Sequence, residues 1–169
     1  MDQTVLDFFV TRRTGAITHI LIGLSVIFRP ALVLIWASII SAKLWGMRYA
    51  LLPLFTAVAT NIISPITKHI VHRPRPPLNL QLAPEYNYSL PSGHAMTIIA
   101  VATAISLIPH KPRWATRLAA GVTWAIAITV CVARLYLGVH WLTDVLAGGL
   151  IGAATTLALR WGYSQRAQP

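Results

Sequence analysis

Carboxylates are nearly missing from this chain. Asp2, Asp7, Glu85 and Asp144 are its only acidic residues, against 14 lysines and arginines, which leaves a net charge of +10. Charge of either sign is scarce: 11% of the 169 residues are charged, where a soluble globular domain carries about 25%. Cysteine is down to Cys131 alone, inside an apolar run, so an intramolecular disulfide is excluded and the thiol reads as a small buried hydrophobe. Internal repeats and low-complexity tracts are absent. The stretch from Met1 to Arg13 is too polar to open a cleavable signal, and none is expected. What fills the chain instead is apolar: 56% of it is hydrophobic, gathered into long runs. The length fits one domain, 1–169, and the composition makes it a membrane protein. Its basic residues flank the apolar runs, which suits anionic lipid headgroups and argues against nucleic acid as a partner.

Four runs, 30–45, 49–67, 115–134 and 141–161, approach the ~20 residues that cross a hydrocarbon core. A fifth, 93–108, is shorter. The stretch 14–28 is separated from the next run only by Arg29-Pro30, and it reads as an interfacial or re-entrant helix, with a sixth crossing as the alternative. The expected fold is therefore an all-α membrane bundle of five or six transmembrane helices. Between runs, 69–92 contains Pro74, Pro76, Pro77, Pro84 and Pro91 and cannot be helical throughout. Trp36, Trp45, Trp114, Trp141 and Trp161 fall mostly near run ends, as an aromatic belt would place them.

Following the runs from end to end puts 43–48, 109–114 and the tail after 161 on one side, and 69–92 with 135–140 on the other. The first side carries Lys43, Arg48, Lys111, Arg113, Arg117, Arg160 and Arg166. The second carries as many cations, but Lys68, Arg75 and Arg134 belong to clusters with another use. Setting those aside makes the first side cytoplasmic and turns the second outward from the cell membrane.

Those clusters are Lys68 with Arg75-Pro76, then Pro91-Ser92-Gly93-His94, then Arg134 with His140 and Asp144. Each lies at or beside a run end, and all land on the same membrane face. Lys68, Arg75 and Arg134 can neutralise a phosphate, and arginine adds a planar fork that matches two oxygens. Ser92 and Gly93 stand where a helix begins, so backbone N–H groups and the helix dipole face an anion. His140 and Asp144 are four apart at a helix start and within mutual reach; the carboxylate can fix the imidazole tautomer, leaving the other ring nitrogen poised to attack phosphorus. His94 then protonates the leaving oxygen and later activates water. A metal site is the lesser reading, because His94 would have to be its third ligand. Asp144 is the only carboxylate inside an apolar run, where an ionisable group is costly unless paired or functional. His72 and Arg73 lie within the first cluster, where contact with substrate is the alternative to the favoured reading that they are solvated; His19, His69 and His110 receive no role.

With these residues the chain resembles the type 2 phosphatidic acid phosphatase family, whose core is shared with vanadium haloperoxidases. The family pattern Lys-x6-Arg-Pro matches Lys68 to Pro76. Pro-Ser-Gly-His matches Pro91 to His94 in full. Ser-Arg-x5-His-x3-Asp matches Arg134, His140 and Asp144, with Ala133 in place of the serine. The resemblance implies an all-helical membrane bundle that hydrolyses lipid phosphates or diphosphates without a metal or other cofactor. It makes His140 the phosphorylated nucleophile, His94 the general acid and base, Asp144 the partner of His140, and Lys68, Arg75, Ser92, Gly93 and Arg134 the phosphate ligands. Family substrates include polyprenyl diphosphates, phosphatidate and phosphatidylglycerophosphate, and the small size favours the first. Two departures stand out: Ala133 removes a hydroxyl from the phosphate site, and the full span that family members often carry ahead of a segment like 12–28 is not seen. A non-catalytic carrier of lipid phosphate is the rival class, but it has no need of His94, His140 and Asp144 together.

Overall fold

The computed structural model describes residues 1–109 and 112–166. His110 and Lys111 of the basic loop lie outside the described residues, as do the side chains of Arg48 and Arg166. The chain runs through α1 (Asp2–Val10), α2 (Gly15–Ile27), α3 (Pro30–Trp45), α4 (Met47–Val71), a 3₁₀ turn (Leu78–Leu80), α5 (Gly93–Ser106), α6 (Arg113–Tyr136) and α7 (Leu142–Arg166). There is no strand among the described residues. The result is the all-helical membrane bundle that the apolar runs require.

Three helical stretches are long and apolar enough to cross a membrane: Ala50–Val71, Arg113–Tyr136 and Leu142–Tyr163. The fourth long run of the sequence, 30–45, does not stand alone. As α3 it pairs with α2 at a 67° bend, as one broken span or a re-entrant loop. Pro30 at the first position of α3 sets this break, since it lacks an N–H and holds Arg29 in extended geometry (φ −57°, ψ 141°). The ambiguous segment 14–28 is thus one limb of a bent pair, in keeping with the re-entrant reading. Within α4, Pro53 and Pro65 are carried without ending the helix, which membrane surroundings and neighbouring helices tolerate. The helix closes instead at His72, a left-handed cap with φ 52° whose N–H bonds to the Lys68 carbonyl.

Only 14 residues long, α5 is the hub of the bundle. It packs against α3, α4, α6 and α7. Ala95, Met96, Ala100, Ala102 and Ala104 have no exposed surface at all. A helix apolar on every side is one buried on every side. Polar threads tie it in place: Thr97 meets Thr60 of α4 at 3.1 Å, and Thr156 of α7 donates to the Ala100 carbonyl at 3.0 Å. The α5–α7 crossing depends on Gly148 and Gly152. A Cβ on them would stand 2.7 Å from the Ser92 carbonyl oxygen and 2.2 Å from that of Met96, respectively. Small residues four apart let membrane helices come into backbone contact. Here the contact drives the start of α5 against the start of α7. Around this hub, Phe55, Ile62, Leu118, Ile128, Leu150 and Leu157 are exposed, an apolar girdle suited to lipid.

The polar N-terminal stretch contains α1, a short helix with Leu6 buried and Phe8 half exposed. It packs on α6 and α7 beside the polar clusters. The loop 72–92 folds back over the same end, pinned where Leu82 N–H reaches the Leu137 carbonyl (2.9 Å) and Ser89 N–H reaches that of Arg73 (2.9 Å).

Candidate active site

Local structure delivers the three clusters to one end of the bundle. Lys68 rides the last turn of α4, and the prolines at 74, 76 and 77 keep the chain extended so that Arg75 turns back under the loop. Arg134 sits in the last turn of α6. The chain then reverses at Gly138, with φ +69°, a turn where a Cβ would meet the Leu80 carbonyl oxygen at 2.5 Å. His140 follows, and Asp144 lies in the first turn of α7.

His140 is buried, and its Nδ1 is 3.4 Å from Asp144 Oδ2. Its Nε2 is 3.2 Å from Nη1 of Arg75. Arginine can only donate, so Nε2 carries the lone pair and Nδ1 the proton that faces the carboxylate. Burial, followed by the nearby charges of Arg75, Arg134 and Lys68, holds His140 well below the ordinary histidine range. The ring is a neutral imidazole with its free nitrogen facing the cations. Asp144 has no exposed surface, and its Oδ2 also accepts the Trp141 N–H at 2.8 Å.

Arg75 and Arg134 converge on one carboxylate, that of Glu85. Arg75 Nη2 lies 2.7 Å from Glu85 Oε2, and Arg134 Nη2 donates to Oε1. Burial alone would raise the Glu85 carboxyl, but Arg134 and Arg75 outweigh it and hold the group below the usual carboxylate value. Arg134 is 2% exposed, and its Nε has no hydrogen-bond partner. Lys68 donates to the Tyr88 carbonyl (2.6 Å) and to Asn87 Oδ1 (3.3 Å), an oxygen that also accepts from Arg75 Nη2.

Ser92 and Gly93 open α5, whose first-turn N–H groups have no partner within the helix. One expectation changes here. The Ser92 N–H does not face an anion but donates to the Asp144 carbonyl at 3.0 Å, coupling the starts of α5 and α7. The Ser92 hydroxyl is buried and unpartnered, so from this residue the side chain is the free donor. Gly93 packs on α4: a Cβ there would be 3.1 Å from Ser64 Oγ. The His94 ring is oriented from an unforeseen direction, with Nε2 3.1 Å from the Ser25 carbonyl of α2.

Every residue singled out in the three clusters is thus joined to the rest by contact or by chain. Arg73 is a correction. Far from being solvated, its guanidinium bridges Asp144 Oδ1 (2.6 Å) and Asp2 Oδ2 (2.7 Å). Ser25, Glu85 and Asn87 receive no site role from the sequence. Glu85 carried a readable signal, being the one carboxylate in a cation-rich loop; a backbone carbonyl such as that of Ser25 carries none. Ala133, the departure from the family pattern, is buried and cannot replace the missing hydroxyl.

Comparison with known proteins agrees with this architecture. The model of the PAP2 superfamily matches residues 49–168. Phosphatidylglycerophosphatase B of Bacillus subtilis (strain 168) is 34% identical over 144 residues, covering 80% of this chain and 66% of that protein. An undecaprenyl-diphosphatase of Sulfolobus acidocaldarius is 33% identical over 101 residues, which are 54% of this chain and 44% of that one. The chain therefore spans somewhat under two thirds of the first of these relatives and less than half of the second. In fold, the crystal structure of a transmembrane PAP2 type phosphatidylglycerolphosphate phosphatase from Bacillus subtilis superposes with a TM-score of 0.83 at 22% identity, covering 99% of this chain and 86% of that one. With the family model spanning most of its length and a helical bundle to match, this chain belongs to the PAP2 superfamily.

Proposed function

We propose that this protein is a membrane phosphatase that removes the terminal phosphate of a lipid phosphate or diphosphate through a phosphohistidine on His140. One observation carries the reading: beside the lone-pair nitrogen of a neutral, buried histidine, two arginines hold an anion, the Glu85 carboxylate. A substrate phosphate fits the same seat. It displaces Glu85, takes Arg75 and Arg134 as charge partners, and satisfies the buried Ser92 hydroxyl and Arg134 Nε. Each such orphaned group otherwise costs about 1–3 kcal/mol. The α5 N-terminus, at Gly93 and His94, adds backbone donors and the positive end of its dipole.

His140 Nε2 attacks phosphorus; the N–P bond forms as the P–O bond to the leaving group breaks, and His94 gives that oxygen its proton. The cationic imidazole is stabilised by Asp144 through Nδ1–H. Water then attacks the phosphohistidine, His94 takes its proton, and inorganic phosphate leaves with His140 restored. The side chains supply every step, and no metal enters. Lys68, which shares Asn87 with Arg75, adds a third cation beside the arginine pair; a diphosphate carries the charge to use all three, so a polyprenyl diphosphate is the substrate we favour, with phosphatidate or phosphatidylglycerophosphate as the alternative. The tail stays in the bilayer, and the charge asymmetry of the loops turns the site outward.

The test is phosphate release by the purified protein in detergent from a polyprenyl diphosphate, phosphatidate and phosphatidylglycerophosphate, with and without chelator. His140→Ala should lower turnover by about a thousandfold or more, as loss of a nucleophile does. Release indifferent to chelator and absent in the variant supports the mechanism. Release that survives His140→Ala would sink it.

A further inference from the structure

The group that the proposed reaction leaves unused is Arg73. Its guanidinium lies between two carboxylates that are distant in sequence. Nη1 donates to Asp144 Oδ1 and to Thr143 Oγ1, both at 2.6 Å, and Nη2 donates to Asp2 Oδ2 at 2.7 Å. Asp2 in turn grips the start of α7: it accepts the Thr143 N–H at 3.0 Å and the Thr143 hydroxyl at 2.7 Å. The guanidinium also stands over the Trp141 ring at 5.9 Å, and Trp141 Nε1 donates to the Pro74 carbonyl beside Arg73.

This arrangement decides which face Asp144 shows to His140. The carboxylate is fully buried and has two oxygens with different neighbours. Oδ2 takes His140 Nδ1 and the Trp141 N–H, while Oδ1 takes Arg73, with Ser89 Oγ at 3.5 Å. Lys68 from α4 and Arg75 from the loop add positive charge at longer range. Among the described residues Arg73 is the one lysine or arginine in hydrogen-bond contact with Asp144, and at 25% exposure it lies at the rim rather than among the groups that hold Glu85. Remove it, and Oδ1 is left buried with little but a long contact to Ser89. The carboxylate would then be free to rotate or to protonate, and the His140 ring would lose its fixed partner.

We propose that Arg73 is a positioning residue for the catalytic pair, held in place by Asp2, so that α1 is a brace for His140–Asp144 and not merely a peripheral helix. The brace is physically continuous. Leu6 is buried, and Val5 and Phe9 pack on Leu135 and Val145, so α1 is fixed to α6 and α7 from one side while Phe8 remains exposed on the other. Asp2 is thereby delivered to Arg73 by a packed helix and not by a loose end. This inference rests on the phosphohistidine reading, because it assigns Arg73 its task through Asp144.

The experiment measures kcat and KM separately for Arg73→Gln, Arg73→Lys, Asp2→Asn and the double variant Asp2→Asn/Arg73→Gln, on the best lipid substrate, with wild type and His140→Ala alongside. Loss of the outer partner of a metal-ligating histidine costs about 10–100-fold; taking that scale for the carboxylate-held His140, Arg73→Gln should lose about as much kcat with KM nearly unchanged. Arg73→Lys should regain part of it, since one ammonium can still reach Asp144. Asp2→Asn should lose kcat less severely, and adding it to Arg73→Gln should lower kcat no further, because coupled residues are not additive. A rise in KM with kcat preserved would make Arg73 a substrate ligand and overturn the proposal. So would losses from Asp2→Asn and Arg73→Gln that simply multiply. Melting in detergent identifies any variant that fails to fold; should Arg73→Gln fail, Arg73→Lys and Asp2→Asn decide by the same kcat-against-KM criterion. A wild-type protein inactive on every lipid phosphate defeats the proposed function itself. An active wild type with kcat unchanged in Arg73→Gln defeats only the brace.

Discussion

Each end of the bundle carries an arginine on a long helix, and the two ends use it differently. At one end Arg160 of α7 donates to the Leu107 carbonyl at 3.0 Å, closing the C-terminus of α5. There a cation satisfies a helix end, as cations near C-termini generally do. At the other end Arg134 of α6 is almost fully buried, pairs with Glu85 from a loop 49 residues away, and keeps a spare donor in Nε. Both are arginines carried on a long helix. The difference lies in convergence: at the Arg134 end Lys68, Arg75 and His140 face the same small volume, and three cations around one carboxylate leave positive charge uncompensated. A cation that completes a helix is structural; on the function proposed above, a surplus of cations around a neutral histidine would seat the substrate's phosphate.

Breaking each end tests the contrast. Arg134→Ala should reduce kcat/KM by about a hundredfold or more, the scale for losing a charge-stabilising donor. Arg160→Ala should leave steady-state kinetics unchanged and lower stability by about 1 kcal/mol, the worth of one hydrogen bond. Equal kinetic losses in the two variants would erase the distinction between the ends.

Glu85→Gln sharpens the same contrast from inside the site. The carboxylate occupies the arginine pair, and apparent affinity falls with the fraction of competent site. Removing its charge should therefore lower KM about three- to tenfold with kcat kept, and inorganic phosphate should inhibit more strongly. Weaker binding in Glu85→Gln would show that the carboxylate organises the arginines and does not compete with substrate.

The smallest effect concerns pH. His140 titrates well below its ordinary value of 6.5 in the folded protein. Between those two values the unfolded chain binds the extra proton, so stability rises with pH through this window and is lost as pH falls through it. The melting midpoint in detergent should fall on acidification below about 6.5, and less steeply in His140→Gln. An identical slope in the two proteins would remove His140 as the source.

Much of this was legible along the chain. Arg134, His140 and Asp144 lie within two helix ends and the turn between them, so local geometry alone brings them together. Lys68 and Ser92 needed only the crossing directions of their helices. Glu85 was legible only as a lone carboxylate in a cation-rich loop, not as the partner of Arg134 49 residues on; the pairing of Arg73 with Asp2 and the use of the Ser25 carbonyl were not legible, because those partners lie 71 and 69 residues away and leave no periodicity behind. The run 30–45 forms a helix as its hydropathy implies, but hydropathy only counts apolar residues and does not show the bend at Arg29-Pro30 that joins it to α2, or its packing on α4 and α5.

The sequence by itself determined the membrane class, the helices, and the gathering of cations and histidines at one boundary, because hydropathy, helix period and motif spacing are local properties. Only the tertiary structure decided which oxygen of Asp144 faces His140, which carboxylate sits in the arginine pair, and how α1 and α2 reach the site. Those choices depend on desolvated charges finding partners across the fold, and a buried charge accepts whichever partner the packing brings within reach.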